Sequence, residues 1–216
     1  MRPLWFGLAT ALALALTAPA QASGMPRADF EAGQLTVSGG VNGVVFVVPL
    51  ATASVDYSPM NRLSVGLGAS MWTVNAHAVL RALQGPSGST LGLMVAGGFN
   101  NDQMIFGTLG PVLAGGAPLP AGPAFYTPGR DYTGPWGQLA LVGSLPLGPL
   151  VLRGMLGPMY GNAQFMGVPP AGDPNIPIEE RMTLAFIPNV ELAWRIAPHH
   201  ELTVGGFSWV GYRGIF

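Results

Sequence analysis

Arg62-Leu63-Ser64-Val65-Gly66-Leu67-Gly68-Ala69-Ser70-Met71 alternates without a break. Leu63, Val65, Leu67, Ala69 and Met71 fall on one side, and Arg62, Ser64, Gly66, Gly68 and Ser70 on the other. A period of two marks a strand whose two faces meet different surroundings. The pattern recurs in Met182 to Ile196, where Leu184, Phe186, Val190, Leu192, Trp194 and Ile196 oppose Thr183, Asn189, Glu191 and Arg195. Around Gln34 to Val48, Leu35, Val37, Val41, Val45 and Val47 oppose Gln34, Thr36, Ser38, Gly40 and Asn42. Residues 51–58, 138–145 and 202–216 follow the same rule less cleanly.

The composition says what surrounds such strands. Only 9% of the residues are charged while 49% are apolar, against about 25% charged in an ordinary soluble domain. That is too little charge to cover a surface facing water. Beyond the first residues there is no run of about 18 apolar residues to form a spanning helix. A backbone in lipid must satisfy its own hydrogen bonds, which leaves helices or closed barrels. With helices removed, the sequence predicts an all-β, antiparallel, up-and-down transmembrane β-barrel.

Periodicity alone does not say which face points outward. The polar stripes are small and uncharged, as in Ser64-Gly66-Gly68-Ser70, which suits a narrow packed lumen better than a hydrated exterior. The few strand charges, Asp56, Arg153, Glu191, Arg195, Glu201 and Arg213, fall nearly all on the polar stripe. They are therefore the candidate lumen charges, placed to pair inside. Tyr57, Trp72, Phe99, Trp136, Tyr160, Trp194, Trp209 and Tyr212 lie mostly near expected strand ends, as interfacial girdles require.

The N-terminus reads as an export signal. Arg2 gives a positive start, Leu4 to Leu16 is uncharged and apolar, and Ala20-Gln21-Ala22 offers a small-x-small cleavage site. Residues 1–22 are thus expected to be a signal peptide, 23–33 an N-terminal segment and 34–216 the barrel. Cysteine is absent, so neither a disulfide nor a lipid-bearing thiol is available.

Eight strands are expected, at 34–48, 50–58, 62–75, 89–99, 136–146, 149–160, 181–196 and 201–216, with ten as the alternative. The join near Pro49 is either a turn or a kink inside one long strand, Gln103 to Val112 offers a further strand, and the eight-strand set does not put its tightest turns all on one side. Ser58-Pro59-Met60-Asn61-Arg62, Ala197-Pro198-His199-His200-Glu201 and Pro146-Leu147-Gly148-Pro149 are those turns. Proline fixes φ there and donates no ladder hydrogen bond. The longer connections, 107–134, 161–180 and a shorter 81–89, are rich in glycine and proline.

The chain closes on Val210-Gly211-Tyr212-Arg213-Gly214-Ile215-Phe216. A terminal phenylalanine after an alternating strand, with Pro-containing turns followed by Leu-x-Val-Gly, resembles small outer-membrane barrels of the opacity type. Gly214 departs from that pattern, which favours a bulky residue. The resemblance implies a bacterial outer-membrane location, membrane lipids as surroundings, and recognition of Tyr212 and Phe216 by the barrel-assembly machinery.

Candidate chemistry is sparse. His199-His200-Glu201 offers three ligand types, but neighbours on a strand point to opposite faces and converge poorly on one ion. No serine, histidine and acid show the spacing of a lipid hydrolase or acyl transferase. Gly39-Gly40, Gly97-Gly98, Gly115-Gly116 and Gly205-Gly206 precede no helix, so they cradle no phosphate and suit close strand packing. The arginines are scattered, which argues against a nucleic-acid partner. The expectation is a non-enzymatic barrel without cofactor or metal, structural or displaying its loops. The alternatives are a narrow channel or small-ligand binder, and a lipid-modifying enzyme.

Overall fold

The computed structural model describes residues 25–42, 50–70, 73–100, 134–162, 182–206 and 208–216. The expected signal peptide, the possible strand at 103–112, Trp72, and nearly all of 107–134 and 161–180 lie outside them. Among the described residues ten strands are present: β1 (Leu35–Asn42), β2 (Leu50–Met60), β3 (Leu63–Ser70), β4 (Thr73–Gln84), β5 (Thr90–Asn100), β6 (Gly134–Leu147), β7 (Leu150–Asn162), β8 (Met182–Ala197), β9 (His200–Gly205) and β10 (Ser208–Ile215). Each pairs antiparallel with the next, and β10 pairs with β1, so the sheet is a closed barrel with no free edge.

Ten strands replace the expected eight, for two local reasons. The sequence expectation carried one strand through 62–75 and read 81–89 as a connection. In fact the chain turns after Ser70 and returns as β4, which keeps Arg81 to Gln84 within the strand. β4 is easily missed because its outward side includes Ala76, Ala78 and Ala82, which are poor strand formers, and no glycine or proline marks the reversal before it. The expected strand at 201–216 is two strands. Gly205 and Gly206 both adopt left-handed φ, 85° and 70°, which lets the chain double back where a side chain would be strained. That pair serves the bend that ends β9.

The ten-strand count also settles the sidedness of the turns. The connections Met60–Leu63, Gln84–Thr90, Leu147–Leu150 and Ala197–His200 all lie at one end. Both ends of the barrel sequence lie there too, since Leu35 N donates to Phe216 O at 2.8 Å and Phe216 N to Leu35 O at 2.7 Å. The 101–133 and 163–181 connections leave from the opposite end. The join near Pro49 lies between two strands that pair with each other, β1 and β2.

The distribution of side chains is inverted relative to a soluble protein. Leu67 is 66% exposed and Phe186 69%, whereas Arg153 and Glu201 are each 0% exposed. In β3 the pattern is strict: Val65, Leu67 and Ala69 point out, while Ser64, Gly66 and Gly68 point in.

The segment before β1 is inside the barrel. Met25, Ala28 and Phe30 are buried against Val79 of β4, Met94 of β5, Ala140 and Val142 of β6, and Met155 of β7. This is the main apolar core among the described residues. Such packing removes a large share of each side chain from water, at about 25 cal/mol per Å² of apolar area.

Candidate functional site: the plugged, charged lumen

Strand register brings the candidate charges together. Arg153 of β7 is laterally paired with Glu191 of β8, Arg195 of β8 with Glu201 of β9, and Glu201 with Arg213 of β10, which in turn pairs with Ser38 of β1. These positions share the inward face, so their side chains converge. Arg153 donates to Glu191 Oε1 at 3.1 Å and to both Glu201 oxygens at 2.9 and 3.0 Å. Arg213 donates to both Glu191 oxygens at 2.8 and 3.1 Å, to Glu201 Oε2 at 3.1 Å and to Ser38 Oγ at 3.1 Å. Two arginines and two glutamates thus form a buried quartet in which each arginine touches both carboxylates.

The N-terminal segment docks onto this quartet. Asp29 takes a two-pronged contact from Arg153, at 3.1 Å from Nε and 2.8 Å from the terminal nitrogen. Ser144 Oγ donates to Asp29 at 2.9 Å and Arg27 Nε at 3.2 Å. Burial by itself would raise the Asp29 carboxyl, but Arg27 and Arg153 outweigh it and hold the group well below the usual carboxylate range. Two carbonyls of the segment are also taken by wall arginines: Arg213 donates to Met25 O at 3.3 Å and Arg81 to Phe30 O at 2.8 Å. The Arg81 guanidinium lies 5.2 Å from the Phe30 ring centre, a cation–π contact.

The other two candidates sit apart. Arg195 lies at the rim with its side chain 43% exposed and reaches Glu201 only at 3.5 Å and Asp29 at 3.8 Å. Asp56 of β2 joins a different partner, His77 of β4, at 2.6 Å. The contact crosses Gly66 of β3, whose added Cβ would fall onto Asp56 Oδ1 and the His77 ring. Any larger residue there would have to push the Asp56 and His77 side chains aside. His77 lies within β4, away from its ends.

Other expected positions differ as well. Trp136 points inward, 5% exposed, and donates to Thr73 Oγ1 at 3.3 Å, so it does not belong to an outer girdle. Tyr57, Phe99, Tyr160, Trp194 and Tyr212 are about half exposed on the outside. His200 stacks on Tyr212 with ring centres 5.7 Å apart, while Glu201 is buried in the lumen; the two neighbours point to opposite sides of the wall. Tyr212 and Phe216 both lie on the outer face, near the β1–β10 seam.

Sequence reasoning missed Arg27 and Asp29, and the pairing of His77 with Asp56. In a chain with so few charges, Arg27-Ala28-Asp29-Phe30 placed immediately before the first strand was itself a signal. The segment alternates charged and apolar residues, as a strip filling a two-sided lumen must.

No known protein-family model matches the chain, and no curated protein matches it. The likeness to opacity-type barrels therefore rests on the strand alternation, the turns and the terminal residues alone.

Proposed function

We propose that the protein is a bacterial outer-membrane barrel that is closed at rest and holds the connections at its far end as surface loops. The observation that carries this reading is the continuous aliphatic exterior around a closed sheet whose lumen is filled by a charged network and the chain's own segment. A water-facing carrier would need the opposite arrangement. Strands of 11 to 16 residues in β5 to β8 rise about 3.3 Å per residue, and a tilt of about 40° gives a height of at least about 28 Å along that arc, while β1, β3, β9 and β10 are shorter at 6 to 8 residues. That height accommodates the apolar band of roughly 25 Å typical of such barrels. Tyr57, Trp194 and Tyr212 near the turn end, with Phe99 and Tyr160 near the other, supply two aromatic belts.

The structural and display role follows from the filled lumen, which argues against a permanently open pore. On this reading the terminal residues Tyr212 and Phe216 present the signal to the barrel-assembly machinery, and residues 1–22 direct export. The test is cell fractionation followed by gel electrophoresis with and without heating. The expected result is recovery in the outer-membrane fraction and a mobility change on boiling. Recovery as a soluble periplasmic protein without that change would reject the reading.

A further inference from the structure

We infer that Met25 to Phe30 is a displaceable seal, and that its movement opens a narrow conduit for small hydrated ions. The inference rests on the membrane reading above and goes beyond it.

Three observations support displacement. First, the segment is outside the sheet: Met25 to Phe30 forms no strand and is held by side-chain contacts and by carbonyls that accept from Arg213 and Arg81. It can leave without breaking the barrel's ladder.

Second, the charges balance on each side separately. Arg27 and Asp29 form a pair within the segment. Arg153 and Arg213 remain matched by Glu191 and Glu201 in the wall. Departure therefore strands no net charge on either part, which would otherwise hold the segment permanently in place.

Third, the wall beyond the segment is polar and incompletely paired. Asn189 is 1% exposed, yet neither its amide nitrogen nor its oxygen has a partner, and Ser54 Oγ is also unpartnered. Buried polar atoms in that condition call for water. Of the two apolar clusters in the described lumen, the movable one is the contact of Met25, Ala28 and Phe30 with the β4–β7 wall; Trp136 and Met159 form the other.

The charge balance also fixes the character of the conduit. The described wall carries Arg81, Arg153, Arg195 and Arg213 against Asp56, Glu191 and Glu201, four of one sign and three of the other, so the open state discriminates little between cation and anion.

The test uses purified full-length barrel in vesicles and planar bilayers with potassium chloride as the probe. Met25→Ala/Phe30→Ala removes contacts made only in the sealed state and raises open probability roughly tenfold or more. Ala28→Cys/Gly92→Cys locks the seal, since the Ala28 Cβ lies 3.4 Å from the position of a Cβ built on Gly92, close to the 3.5–4.5 Å of a disulfide. The chain has no other cysteine. Oxidation abolishes openings and reduction restores them, with reversal potentials near zero in a salt gradient. The added Cβ lies 2.9 Å from Leu80 O, so heat-modifiability is scored first; if the locked variant does not fold, the alanine variant decides. Barrels that fail to float with vesicles overturn the membrane reading and this inference with it. Barrels that float, with an alanine variant no more conductive than wild type, overturn the seal alone.

Discussion

The inner wall has two unlike arcs. Between β4 and β7 it carries an apolar patch of Val79, Met94, Ala140, Val142 and Met155, set among the buried polar residues Thr73, His77, Thr90 and Ser144. From β7 through β10 to β1 it is ionic, with Arg153, Glu191, Glu201, Arg213 and Ser38. The N-terminal segment matches both, turning Met25, Ala28 and Phe30 to the first and Arg27 and Asp29 to the second. One arc holds the segment by contact area that any well-fitting apolar group can provide. The other fixes its register, because a two-pronged arginine–carboxylate contact tolerates little displacement.

Substitutions should separate the two arcs. The largest effect is expected at Arg213→Met, which leaves Glu191 and Glu201 short of a donor in a buried site. Such a loss costs about 3–5 kcal/mol, read as a lower urea midpoint for unfolding from lipid vesicles. Met94→Ala follows, at about 2–4 kcal/mol for a cavity in the apolar arc, and unlike the ionic change it should be recovered by leucine. An equal loss in both alanine and leucine variants would break the distinction.

Next is the acid response of the ionic arc. The Asp29 carboxyl is held below its unfolded value of about 3.9, so it binds fewer protons in the folded state. Its stabilisation is therefore complete above that value and is lost as pH falls through the lowered folded-state pKa. Asp29→Asn should flatten this part of the acid limb of the stability profile, and an unchanged limb would remove Asp29 as its source. The smallest effect is expected at Arg195→Gln, about 1 kcal/mol or less, because the side chain is partly exposed and its contacts are long.

The sequence revealed the wall more readily than its contents. Strict alternation exposed β3 and β8, where nearly every outward position is bulky. It failed at β4, where Ala76, Ala78 and Ala82 blur the apolar stripe, and at Gly205-Gly206, where a turn carries the same residues as a packing contact. The charges of the quartet were legible because strand parity places them on the polar face. Asp29 was harder to place: the charged-apolar alternation of Arg27-Ala28-Asp29-Phe30 was the one signal, and strand parity does not reach a short segment outside the sheet. Asp56 was read as a lumen charge, but its pairing with His77 needed the register across Gly66, which local pattern does not contain.

The central claim is that one stripe of each strand meets lipid and the next meets the lumen. Ser54 and Val55 are chain neighbours of β2, buried and 49% exposed respectively. Each is replaced by cysteine in this cysteine-free chain, labelled with an environment-sensitive fluorophore before folding, and examined in vesicles containing lipids brominated along their chains. The account predicts strong quenching at Val55→Cys and little at Ser54→Cys. Equal quenching at the two positions, or stronger quenching at Ser54→Cys, would contradict it.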